Sequence, residues 1–159
     1  MAPRYTHVTL RLFLLMSILG ALLLQTLVLP AMASSMAERF PEVADLELPT
    51  LALAIFVLAC FEIALACVWM LAGATRRGEI FSSGSLRWVN LICACLALTA
   101  LALAGFTLFD LCAGIGPISV PAFFSALLFV DIGCLSIVLV LRALLIGATG
   151  LQSELDEVI

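Results

Sequence analysis

The chain has 159 residues, of which 65% are hydrophobic and only 11% charged, about half the charge of a soluble domain of this size. That balance excludes an ordinary water-soluble globule: a core cannot absorb so many Leu and Ala without large exposed apolar patches, so part of the solvent must be lipid. The formal net charge of −4 says little, because its parts fall on opposite sides of a membrane; there is no Lys and a single His, His7, and no basic tract with interleaved aromatics points to direct nucleic-acid binding.

Residues 1–11 form a short polar lead carrying Arg4, His7 and Arg11. An apolar run follows over about 12–29, long enough to cross roughly 30 Å of hydrocarbon as a helix. It is expected to end at Pro30. The stretch AMASS beyond it resembles a small-residue cleavage site, so a secretory signal is the alternative reading. The run exceeds the roughly 7–15 apolar residues of such signals, which favours an uncleaved first span.

Residues 31–49 read as the one sizeable polar loop, with Glu38, Glu42, Asp45 and Glu47 against Arg39. Pro41 and Pro49 should limit helix there. The second span is predicted over about 50–71, with Trp69 suited to an interfacial position. A turn over 72–85 follows, with Gly73 and Gly78 as candidate helix ends. The third span, about 86–109, opens with Arg87 and Trp88. The loop DLCAGIGPISVP leads to a fourth span over about 121–146, where Pro121 fits a first helical turn. Residues 147–159 form a polar tail in which Leu151, Leu155, Val158 and Ile159 recur at near-helical spacing.

The arginines orient these spans. Arg4, Arg11, Arg76, Arg77, Arg87 and Arg142 fall on one side and only Arg39 on the other, so the positive-inside rule puts both termini and the central turn in the cytoplasm. The predicted fold is therefore all-α, an integral membrane bundle of four transmembrane helices in one domain, with both termini cytoplasmic. The 31–49 loop lies outside.

Depth singles out three polar residues. Glu62 and Asp131 lie about 15 Å inside the outer ends of spans two and four, and Thr99 reaches a similar level in span three. Intramembrane acids are costly and usually face a bundle interior. One reading makes Glu62 and Asp131 a proton or cation site, with burial holding at least one carboxyl neutral until an ion arrives. The other makes them protonated packing groups, hydrogen-bonded to Thr99 or to backbone carbonyls. Packing is preferred, because two acids make a thin site and no Gly- or Pro-broken helix is expected to cross the midplane and lend carbonyls.

No cofactor, metal site or catalytic set is expected. Five of the six cysteines lie within the spans, without a C-x-x-C pair, and behave as small apolar residues there; only Cys112 sits outside. Ala100 and Ala104, four residues apart, suit close helix contacts. The single His in the tail leaves no Ser/His/Asp set, and phosphate-binding glycine loops and zinc motifs are missing. An enzyme is not expected.

The segment CVWMLAGATRRGEIFSSGSLRWVN (67–90) and the ending LRALLIGATGLQSELDEVI (141–159) resemble a small bacterial membrane-protein family, domain of unknown function 2975. Its pattern has four spans, a Pro-Glu loop after the first (here PEVADLELP), a turn ending in Phe-Ser (here Phe81 and Ser82) and a short acidic C-terminus (here from Glu154). The resemblance covers nearly the whole chain. It implies an integral membrane protein without assigned chemistry, often encoded beside a small helix-turn-helix regulator of the phage-repressor type. The expected partners are thus the lipid bilayer and a cytoplasmic regulator of that type, with a homo-oligomer as an option and no direct nucleic-acid contact. Arg76 and Arg77 with Glu154, Asp156 and Glu157 form the candidate partner surface. A small transporter using the midplane acids is the alternative function.

Overall fold

The computed structural model describes residues 2–39, 47–77, 83–114 and 118–156. Regular structure among them is entirely helical: α1 (Ala2–Leu23), a π-helical turn (Leu24–Val28), α2 (Leu29–Arg39), α3 (Glu47–Arg77), α4 (Ser83–Ala113) and α5 (Ser119–Asp156). Four stretches, Val8–Ser35, Glu47–Ala74, Gly84–Ala113 and Ser119–Gly150, are long and apolar enough to cross a membrane. Helix suits them because hydrocarbon offers backbone groups no partner outside the segment itself.

The helices overrun the predicted spans at nearly every end. Pro30 does not stop the first one. In a regular α-helix its ring would collide with the carbonyl of Thr26, and it brings no N–H of its own. The chain widens into the π turn just before it instead: the Leu29 N–H donates to the Leu24 carbonyl, five residues back, and the Thr26 hydroxyl donates to the Leu22 carbonyl at 2.7 Å. The helix then resumes to Arg39, so much of the expected 31–49 loop is α2 and the first turn of α3, where Pro49 costs no hydrogen bond. Gly73 likewise lies inside α3 rather than ending it, and Gly78 lies outside the described residues. The α4 helix closes on Gly114, whose φ of 61° is the left-handed conformation glycine adopts freely; its N–H donates to the Asp110 carbonyl at 3.0 Å.

Packing follows chain order. The α1–α2 segment packs on α3, α3 on α4, and α4 on α5; among the described residues α5 touches no other helix, and α1 touches neither α4 nor α5. The molecule is an open row of helices rather than a closed bundle. One of its two inner members, α4, carries a buried stripe at three- and four-residue spacing: Ser85, Val89, Ile92, Cys95, Thr99, Leu103, Thr107 and Asp110. Half of that stripe is polar. On α5, half-buried Phe124, Leu128, Asp131, Leu135, Val138, Arg142 and Leu145 alternate by four and three, the narrow seam of a helix with one neighbour. Pro121 is the only residue described on it that is buried.

Candidate functional site

The α4–α5 seam is pinned at three levels. Asn90 Oδ1 accepts a hydrogen bond from Arg142 Nε. Near the middle, the Thr99 hydroxyl donates to Asp131 Oδ1 at 3.0 Å and to its own Leu96 carbonyl at 2.9 Å. Towards the other end, Phe106 and Phe124 meet edge to face with centroids 4.8 Å apart. As α4 advances from Asn90 to Thr99 to Phe106, its partners retreat from Arg142 to Asp131 to Phe124, so the two helices run antiparallel in one register.

The Thr99–Asp131 contact joins two of the three polar residues expected at a common depth. Thr99 is only 5% exposed. Its one hydroxyl proton faces two acceptors; a proton on Asp131 would complete a chain from carboxyl to Thr99 Oγ1 to the Leu96 carbonyl. Interhelical bonds of this kind average about 0.6 kcal/mol in membranes and reach about 1.7.

Glu62 lies on a different seam. Seven residues after it on α3, Trp69 stacks under the Arg11 guanidinium of α1 at 5.3 Å, and the Cβ position of Gly73 is 4.0 Å from Arg11 Nη2. Seven and eleven residues return to nearly the same side of a helix, so Glu62, Trp69 and Gly73 all face α1. On α1 the matching stripe holds half-buried Arg11, buried Leu14 and Ala21, and half-buried Gln25 in the π turn. Gln25 Oε1, Glu62 Oε1 and Asp131 Oδ2 are buried oxygens without a hydrogen-bond partner.

Between the two seams, Cys60, Cys67 and Cys95 are buried, and Cys60 of α3 and Cys95 of α4 lie near one another. All six cysteines are free thiols. Among the described residues no three His, Cys, Asp or Glu side chains gather as a metal site. Ala100 and Ala104 are half-buried on α4.

Several polar groups escaped sequence reasoning. Asp110, expected to open a loop, is 5% exposed in the last turns of α4. Gln25 lies inside the apolar run predicted over 12–29 and draws no notice there, although counting depth back from Ser35 places it near the acid layer. Asn90 signals itself only once Arg142 is known to lie opposite. Of the candidate partner surface, Arg76, Arg77, Glu154 and Asp156 stand in the end turns of α3 and α5, with their side chains outside the described set; Glu157 lies outside the described residues altogether, as do Phe81 and Ser82.

The family model described as "Protein of unknown function (DUF2975)" matches residues 31–159, leaving α1 and the π turn outside the match. No curated protein and no solved structure matches the chain.

Proposed function

We propose that this chain, which belongs to the DUF2975 family, is a membrane-embedded interaction module that works with a cytoplasmic helix-turn-helix regulator, its two termini and central turn facing the cytoplasm. The observation that carries this reading is α5. It is 38 residues long, about 57 Å, against roughly 30 Å of hydrocarbon. It rests on α4 alone, and its outer faces, with Phe129, Val130, Ile137, Val140 and Leu144, are exposed. A helix so little used by its own chain is free to serve a neighbour in the bilayer, a second copy included, while its end reaches past the membrane. The arginine asymmetry supports a cytoplasmic position for that end. Arg76 and Arg77 with Glu154, Asp156 and Glu157 would meet the regulator.

Two measurements test this. Reporter fusions after Gly78 and at Ile159 should read cytoplasmic, and one at Ser35 external. The regulator encoded beside the gene should co-purify with the solubilised chain and be lost from the double variant Arg76→Glu, Arg77→Glu. An external C-terminus, or no co-purification with the native chain, overturns the proposal.

One observation favours a proton- or cation-linked transporter as the second reading. The first span is locally irregular: a π turn and Pro30 fall beside Gln25 in an otherwise continuous helix, a departure of the kind that often accompanies function. Under this reading Glu62→Gln and Asp131→Asn each abolish ion-dependent function with normal insertion; under the first they leave regulator binding intact.

A further inference from the structure

Arg142 is the one basic residue of α5, and it lies along the seam with α4. The apolar stretch Ser119–Gly150 is 32 residues long and Gly84–Ala113 is 30, each exceeding the roughly 20 residues that cross the hydrocarbon. With the excess shared between the ends, the core boundary falls near residue 144 on α5 and near residue 89 on α4. Arg142 and Asn90 therefore meet within about one turn of that boundary, and Arg87 lies just outside it, one turn before Asn90 on α4. Arg11 and Trp69 stack at the corresponding end of α1 and α3, which marks the same level as a polar belt.

At this depth the Arg142 guanidinium has only a neutral partner. Its Nε donates to Asn90 Oδ1, and among the described residues no carboxylate pairs with it. A cation drawn partly out of water against a neutral amide is poorly compensated. The Asn90 bond leaves the two terminal nitrogens, whose parallel N–H groups match the oxygens of a phosphate. Asn90 and Arg87 are both exposed, so this corner opens to the lipid. The anion available at the core boundary is the headgroup phosphate, which basic groups between membrane helices are suited to hold.

We propose that Arg142, oriented by Asn90 and assisted by Arg87, binds the phosphate of an anionic phospholipid in the leaflet where α4 begins and α5 leaves the membrane. Asn90 is a positioning residue here: it fixes the guanidinium plane without touching the lipid. Lysine at 142 would keep the charge but not the fork.

The test uses the full chain in nanodiscs of phosphatidylcholine containing increasing phosphatidylglycerol, with bound lipid counted by native mass spectrometry and affinity read from a headgroup-labelled phosphatidylglycerol. The native chain should retain one anionic lipid. Arg142→Gln should weaken binding about ten-fold or more, as expected for losing charge-assisted hydrogen bonds. Asn90→Leu, which keeps every charge, should weaken it several-fold, and Arg142→Lys should fall between native and Arg142→Gln. Thermal unfolding in pure phosphatidylcholine nanodiscs separates lipid loss from misfolding, since Asn90→Leu should stay folded there. Equal retention by native chain and Arg142→Gln overturns the site. Displacement of the labelled lipid by millimolar inorganic phosphate overturns its assignment to a lipid in favour of a free-phosphate site.

Discussion

The two outer seams of this row of helices are built on different plans. Where α5 meets α4, specific contacts recur along the whole length: a guanidinium on an amide, a hydroxyl on a carboxyl and an aromatic pair. Where α1 meets α3, one cation–π contact secures the Arg11 end, and beyond it the helix widens into a π turn with Gln25 Oε1 and Glu62 Oε1 left unpaired. Lipid tails are as apolar as Leu, so hydrophobic burial does little to distinguish one helix pairing from another in a bilayer; packing and polar contacts must do it. The α4–α5 pair is thus fixed in register by its sequence. The α1–α3 pair is anchored at one end and free to adjust at the other, which is the kind of place where a π turn tends to accompany function.

The sharpest way to break this contrast is to repair the irregular seam. Pro30→Ala removes the ring that costs a regular helix about 3 kcal/mol. The π turn should then close into α-helix, and the extra residue it absorbs should rotate everything beyond it by about 100°. A photo-crosslinker at Ala33, half-buried in the native chain, should lose most of its adduct with α3. An unchanged adduct would mean that Pro30 is not what holds the turn open.

A smaller effect is expected from loosening the ordered seam. Thr99→Val removes the hydroxyl and should cost about 0.6–1.7 kcal/mol, read by reversible unfolding in bicelles. Asp131→Asn should be close to neutral, because an amide N–H can donate to Thr99 Oγ1 while the hydroxyl serves the Leu96 carbonyl. A large loss of stability in Asp131→Asn would show that the carboxyl does more than pack. Smaller again is Arg11→Ala, which should cost about 0.5–1 kcal/mol for a partly exposed cation–π contact. It should free α1 from α3, measured by crosslinking at Leu14, without altering α4–α5. Equal disturbance of both seams would contradict the independence inferred from their packing.

These differences also explain what the sequence disclosed. Four spans followed from hydropathy, and the meeting of Thr99 with Asp131 followed from counting depth, since residues at equal depth on adjacent helices have few other places to look for a partner. Depth alone says nothing of face. Glu62 shares the level of Thr99, yet it sits about 200° around α3 from the buried Cys60 and so turns to α1. Pro30 misled because a proline that ends a helix in water is absorbed inside a membrane, where stopping would strand backbone groups in hydrocarbon. Asp110 misled for a related reason: an acid near a span's end was assigned to the loop, although the helix continues through it until Gly114 can turn the chain.

The smallest effect on the membrane domain should come from the end of α5. Continuing the register set by Asn90–Arg142 and Thr99–Asp131, α5 draws level with the first residue of α4 at about Thr149. The last turns of α5, up to Asp156, therefore have no length of α4 beside them, and α5 has no other neighbour among the described helices. Their acids, Glu154 and Asp156, stand in the last turn of a long helix, where negative charge opposes the macrodipole by about 0.3–1 kcal/mol when exposed. Helix persisting to Asp156 against that cost is reason to expect a use for it outside the bundle. Deleting 151–159 should leave unfolding in bicelles unchanged within about 0.5 kcal/mol, with the Thr99–Asp131 seam intact, while co-purification of the regulator is lost. If stability falls instead, the tail belongs to the fold and the open row is closed by contacts at that end. If neither stability nor co-purification changes, the acidic end is an idle terminus, and the proposed regulator contact would rest on Arg76 and Arg77 alone.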